Sequence, residues 1–203
     1  MSTSVQQPVP FLRHWDLDST PHLLVTGRIG AGRTAVVDQL IGHLAKRNAS
    51  IAILYPSLNP QLAAATSLAR GTVEAEVVLQ RQLAEMHRRY SAVERRQLAS
   101  VEPVLTVVDS LAEILDGTAD QALRQRVQLD VEALAILGGQ VGMHLVLSSI
   151  DAPYLAHRAR KDLGTIAIVG SDRSQGSLGG RFCPPGSVRS ASVYFEADSV
   201  ESS

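Results

Sequence analysis

The sequence predicts an α/β domain, a mainly parallel sheet with helices on both faces. Three observations carry the prediction. Short apolar runs alternate with helical patterns along the chain, as repeated strand–helix units do. The first run, Leu23, Leu24 and Val25, ends in the glycine-rich turn Gly27–Gly32. Another aliphatic run, Val104–Val108, ends in Asp109. Both features fall at the carboxyl ends of predicted strands, which is where parallel sheets bind ligands.

The elements follow in order. A strand is predicted at 22–26, a loop at 27–32 and a helix from Arg33 to about Arg47. The second strand is Ile51–Tyr55, stopped by Pro56. A long helix at about 74–98 carries Leu79, Leu83, Met86, Tyr90 and Val93 at spacings of four and three, a seam that faces the core. Its remaining faces carry Arg81, Arg88, Arg89, Arg95 and Arg96, read as a solvated face or a surface for DNA or a partner. The third strand is Val104–Val108. A helix at about 120–137 then aligns Leu123, Val127, Val131 and Leu134. His144–Ser149 and Thr165–Val169 are the fourth and fifth strands. Residues 171–187, rich in Gly, Ser and Pro, read as loop, and Ser190–Phe195 as a last short strand at an edge. His22 and His144 open apolar strands and read as hydrogen-bonded structural histidines. The chain divides into a flexible lead-in at 1–20, a folded domain at 21–195 and an acidic, serine-rich tail at 196–203.

Composition narrows the function. The 203 residues carry a net charge of −1, which excludes a protein that coats nucleic acid through a broadly basic surface. Aromatic residues make up 4%, too few for a platform that stacks single-stranded bases. The single cysteine, Cys183, rules out an internal disulfide and fits a cytoplasmic location. No apolar run approaches the roughly 20 residues that span a bilayer.

The chemistry concentrates at Gly27–Thr34. Gly27, four residues, Gly32 and Thr34 match the spacing of a phosphate-binding loop, with Arg33 in the lysine position. The residues expected to hold ATP are Gly27, Arg28, Ile29, Gly30, Ala31, Gly32, Arg33 and Thr34. Glycines let the backbone turn its N–H groups onto phosphate oxygens, and the helix adds its positive end. Thr34 and Asp109 are the expected Mg²⁺ pair, the hydroxyl binding directly and the acid through water. Arginine is bulkier than lysine and aims its charge differently. Ser110 follows the acid, and a serine is no base at neutral pH. A tight strand-to-helix turn would use the same glycines, and Asp109 would serve equally as a helix cap, so both plainer readings stay open.

Five segments together resemble the motor domain of the FtsK/SpoIIIE DNA translocases: Pro21–Val25 with its loop, Glu85–Tyr90, Val107–Leu115, Gly142–Leu147, and Cys183–Gly186 with Val188 and Arg189. The resemblance implies a RecA-like P-loop ATPase using ATP and Mg²⁺. It further implies double-stranded DNA as partner in an assembled state, and a homo-oligomer or a subunit of a larger motor. Three positions depart from the family pattern: Arg33 for lysine, Ser110 for the water-activating glutamate, and Ile150 for a polar sensor. No catalytic residue is assigned, because all three departures fall on the chemistry of hydrolysis. Weak or absent hydrolysis is the expected outcome. An active minimal ATPase and a nucleotide-free scaffold are the alternatives.

Overall fold

The computed structural model describes residues 9–55, 65–95, 102–150, 155, 157–172, 177–185, 187 and 191–196. They form nine strands and six α-helices: β1 (Val9–Pro10), α1 (Phe11–His14), β2 (His22–Thr26), α2 (Arg33–Ala45), β3 (Ser50–Leu54), β4 (Ser67–Ala69), α3 (Thr72–Glu94), β5 (Val104–Asp109), α4 (Leu111–Asp116), α5 (Gln121–Leu137), β6 (Met143–Ser149), α6 (His157–Lys161), β7 (Leu163–Asp172), β8 (Ser177–Cys183) and β9 (Ala191–Glu196). One sheet contains all nine strands, in the order β1-β9-β8-β7-β2-β6-β5-β3-β4. From β7 to β4 every pairing is parallel, while β7, β8 and β9 form an antiparallel meander.

The central strands are apolar on both faces because both faces are covered. Leu24, Ala52, Leu54, Val108 and Leu147 pack under α3, α4 and α5, with Leu79, Met86, Val127 and Leu134. Their sequence neighbours Leu23, Val25, Ile51, Ile53, Leu105 and Val107 point the other way, onto Val36, Val37, Leu40, Ile41 and Leu44 of α2. All seven residues of β6 are buried.

Several expectations change. The lead-in expected at 1–20 gives way to packed structure from Val9 onward. Val9 and Pro10 pair with Val193 and Tyr194, and Pro10 is tolerated because β1 is an edge strand. Phe11 stacks on Trp15 at 6.1 Å and meets Phe182 and Phe195 at 5.0 and 5.5 Å. All three phenylalanines and the only tryptophan of the chain thus gather here, and the Trp15 indole N–H donates to the Thr20 carbonyl. Residues 1–8 and the tail beyond Glu196 lie outside the described residues.

The segment read as loop at 171–187 contains β8. Its glycines are needed for pairing: a Cβ on Gly180 would stand 3.2 Å from the Ala167 carbonyl oxygen across the ladder. Strand β9 is no edge, because β1 pairs along its far side.

On α3 the apolar seam ends early: Leu79 and Met86 are buried, but Val93 is 47% exposed. Arg89, expected on the solvated face, is 5% exposed. Its Nε donates to Glu85 at 2.7 Å, Nη1 to the Val141 and Gly142 carbonyls at 3.0 and 3.3 Å, and Nη2 to the Glu102 carbonyl at 3.0 Å. One guanidinium therefore ties α3 to the turn before β6 and the chain entering β5. Arg88 remains exposed and pairs with the same Glu85. Hydrogen bonding from Arg88, then from Arg89, pulls the Glu85 carboxyl down to about 2. Arg96 lies outside the described residues.

His22 Nδ1 accepts from the Leu145 N–H at 3.1 Å, and His144 Nδ1 lies 3.1 Å from the Pro21 carbonyl, so both histidines are structural. Burial, then the charge of His144, pushes His22 down to about 3.

Arg89→Met should destabilise the fold by about 3 kcal/mol, because three carbonyls and Glu85 lose their donor. Arg88→Ala should leave the urea midpoint close to wild type, as loss of an exposed pair does; urea melts of the two variants check both outcomes. The unfolded chain binds protons that the folded one refuses, at His22 from 6.5 down to about 3 and at Glu85 from 4.5 down to about 2. Stability is therefore full above 6.5 and falls as pH drops through that window. Urea midpoints that stay level from about pH 7 to about pH 4 would contradict this.

Candidate nucleotide site

The loop between β2 and α2 has the backbone that its glycines predict. Gly30 and Gly32 lie at φ +77° and +98°, in the left-handed region that favours glycine. The Ala31 N–H closes a turn onto the Arg28 carbonyl at 3.0 Å, and the Val36 N–H begins the helix on the Gly32 carbonyl at 3.1 Å. Gly32 is the N-cap of α2 and supplies no side-chain cap; the first turn holds no acidic residue. The helix start thus presents backbone N–H groups and its positive dipole end to an anion. The loop is held from outside as well. A Cβ on Gly27 would stand 3.3 Å from Ile168 of β7, and one on Gly32 would meet Leu178 of β8 at 2.8 Å.

Of the eight loop residues, Arg28, Ile29 and Gly30 are exposed at the tip, Ile29 to 84%. Gly27, Ala31, Gly32 and Arg33 are half-buried, and Thr34 is exposed. The Arg33 side chain folds back over the loop, its Cγ 3.4 Å from where a Gly27 Cβ would be. Its Nη1 donates to Ser148 Oγ at 3.5 Å, the outer limit of a hydrogen bond.

Asp109 ends β5, on the far side of β6 from the loop strand. Ser148 of β6 is in register with Val25 on one side and Asp109 on the other. The Ser148 side chain is hydrogen-bonded to the Asp109 carboxyl. Burial raises that carboxyl; the Ser148 bond and the charge of Arg33 oppose the rise, and the charge of Glu113 adds to it. Loop, serine and acid thereby form one polar line across three strand ends. Asp109 does not cap α4: the N-cap is Ser110, with no side-chain bond. Ser110 stands at φ +62°, and its N–H donates to the Ser148 carbonyl at 2.9 Å. Ile150, immediately after β6, is exposed and offers no polar group.

Ser148 is the site residue that sequence reading missed. The family pattern points instead to position 150, beyond the strand. The available signal was a pair of serines, Ser148 and Ser149, closing an otherwise apolar strand.

The pair expected to hold a nucleotide-bound Mg²⁺ is present: Thr34 is exposed in the first turn of α2, and Asp109 is half-buried at the end of β5. Such an ion would take most of its oxygen ligands from phosphates and water. Among the described residues, no group of three His, Cys, Asp or Glu side chains could hold a metal ion. Arg173, the loose candidate for acting on a neighbouring subunit, lies outside the described residues. Cys183 is half-buried, and its Sγ lies 2.8 Å from the Ser187 carbonyl, a structural contact.

No protein-family model and no curated sequence matches this chain. Solved structures do. The conjugation coupling protein TcpA of pCW3, in its monomer form with ATPγS, superposes with a TM-score of 0.73 at 17% identity, over 90% of this chain and 61% of that one. The cytoplasmic domain of EssC gives 0.67 at 17% identity, over 90% and 41% of the two chains. The cytoplasmic domain of the Thermomonospora curvata type VII secretion ATPase EccC gives 0.62 at 15%, over 90% and 24%. This chain therefore spans less than two thirds of each of these structures. At such identities the likeness is one of fold: an α/β domain built on a mostly parallel sheet.

Proposed function

We propose that the chain binds ATP or ADP through residues 27–34 and hydrolyses ATP weakly or not at all. The carrying observation is the glycine loop, with left-handed Gly30 and Gly32 opening α2 toward the Ser148–Asp109 pair. The loss of hydrolysis rests on Ser110. It occupies the position after the acid where the resemblance expects a water-activating glutamate, and a hydroxyl cannot take a proton at neutral pH. Glu113 lies on the exposed side of α4 and offers no direct substitute.

In this reading the protein serves in the cytoplasm as a subunit or regulator of a larger motor that moves DNA, as a homo-oligomer or beside active subunits. The TcpA likeness and the resemblance to FtsK/SpoIIIE motors both support it. The likeness to EccC, a type VII secretion ATPase, makes secretion the second setting in which such a subunit would serve. Among the described residues no helix is long and apolar enough to cross a membrane.

Isothermal titration should detect both nucleotides, and Gly32→Ala should weaken binding by more than about tenfold, since its Cβ would strike Leu178 and oppose the left-handed backbone. Absence of heat with either nucleotide at about millimolar concentration would leave the scaffold alternative. Phosphate release should run about 10²-fold or more below that of an ordinary motor domain. Several turnovers per second, abolished by Thr34→Ala, would establish the active ATPase instead.

With a net charge of −1, the isolated chain should bind duplex DNA weakly and lose that binding as salt rises. Assembly would repeat modest basic patches, such as the exposed Arg81, Arg88, Arg160 and Lys161, and tighten it. Gel shifts over a salt series, with light scattering for mass, test this; tight, salt-independent binding by a monomer would refute it.

A further inference from the structure

A cavity of about 280 Å³ opens at the amino ends of the parallel strands, the opposite end of β2 from the glycine loop. The segment before β2, the end of α5 with the turn after it, and the residue before β7 line it. His22 stands in its wall and is 2% exposed. The Leu145 N–H donates to Nδ1, so that nitrogen carries no proton and the neutral ring carries its proton on Nε2. Burial keeps the ring neutral at physiological pH. No described hydrogen bond takes up the Nε2–H. Nor is it sealed in the core, for among the described residues His43 Nε2 is the one side-chain nitrogen both sealed and unpartnered. Gly139, also in the cavity wall, leaves the ring edge open: a Cβ there would stand 3.2 Å from His22 Nε2 and 2.7 Å from Pro21 Cγ. A buried donor is thus offered to the cavity without a partner, where one is ordinarily satisfied.

The other polar groups fix what could meet it. Asp18, exposed, and Asp162, half-buried, both line the cavity, and no lysine or arginine among the described residues does. Neither carboxylate takes part in a described salt bridge. Two unpaired carboxylates repel an anion. A simple amine would satisfy them but leave the Nε2–H unmatched, while a neutral carbonyl compound would do the reverse. A ligand that answers both carries a cationic nitrogen and a carbonyl. Asp162 immediately precedes Leu163, the cross-strand partner of His22, and paired strands lie about 4.8 Å apart. The two groups of the ligand therefore need to be only a few bonds apart, and Ala135, Ile136 and Pro185 offer an apolar wall for the rest of it.

We propose that this cavity binds an α-amino amide, its ammonium held by Asp162 and Asp18 and its carbonyl accepting from His22 Nε2. A free amino-acid amide and the amino terminus of a peptide present the same pair of groups. The site is separate from the nucleotide reading and stands or falls without it.

The test uses the full chain with ¹⁵N-labelled histidine at about pH 6.5, where an α-amino group is charged. Leucinamide should bind with a Kd of about a millimolar or below and move the His22 Nε2–H signal as it saturates. N-acetylleucinamide, without the charge, and isoamylamine, without the carbonyl, should each bind at least about tenfold more weakly. Asp162→Asn should weaken leucinamide by a similar factor while leaving the thermal midpoint in place. The ligand series on wild type decides the matter even if that variant fails to fold. Leucylglycinamide binding at least as tightly as leucinamide assigns the site to a peptide amino terminus; leucinamide binding alone assigns it to a free amide. No saturable movement of the His22 signal with either ligand up to about 10 mM overturns the inference. So does N-acetylleucinamide or isoamylamine binding as tightly as leucinamide.

Discussion

The position of β6 between β2 and β5 is the constraint on which the site depends. Parallel strands lie about 4.8 Å apart, so the loop strand and the acid strand are held roughly 10 Å apart by one intervening backbone. Any contact between the loop cation and the acid must cross the carboxyl end of β6. Ser148 occupies that crossing, with its backbone paired to both neighbours and its hydroxyl bonded to Asp109. The ladder bonds fix this geometry before any side chain is considered. An apolar residue at 148 would leave Asp109 without its hydroxyl partner in a half-buried setting, where an unpaired carboxylate is costly.

The same sheet explains why the rest of the molecule is so unevenly polar. Both faces of the central strands are covered, so their residues have no choice but to be apolar, and chemistry is pushed to the strand ends. At the amino ends, that pressure yields His22 and His144, each bonded to backbone. At the carboxyl ends it yields Arg33, Ser148 and Asp109. Beside α3, where the chain turns into β5 and β6, it yields Arg89, one buried cation serving several carbonyls. Each is a polar group whose burial is offset by a specific partner.

The antiparallel half of the sheet has a second role. Strand β8 carries Leu178 against Gly32, and Phe182 into the aromatic cluster with Phe11. The glycine loop and the N-terminal segment are thus braced by the same strand. Gly32 is glycine for two separate reasons, its left-handed backbone and the Leu178 side chain pressed against it. A change in the β7–β8 hairpin would therefore reach the loop without touching any residue of it.

The sequence by itself determined the parallel core, the helices α2, α3 and α5, and the loop with its neighbouring acid. These are local signals: unbroken apolar runs, a 3.6-residue period and glycines at fixed offsets survive in one dimension. What only the tertiary structure decided depended on partners distant in the chain. SLGGRFC became a strand because β7 and β9 supply its hydrogen bonds and its glycines admit close pairing, although composition alone marks a loop. Phe11 and Trp15 became core because Phe182 and Phe195 arrive beside them from the other end of the chain. Arg89 left the solvated face because three carbonyls and Glu85 meet at one point. Ser148 became part of the site because its neighbours are set by strand order, and strand order is not written in any short stretch of sequence.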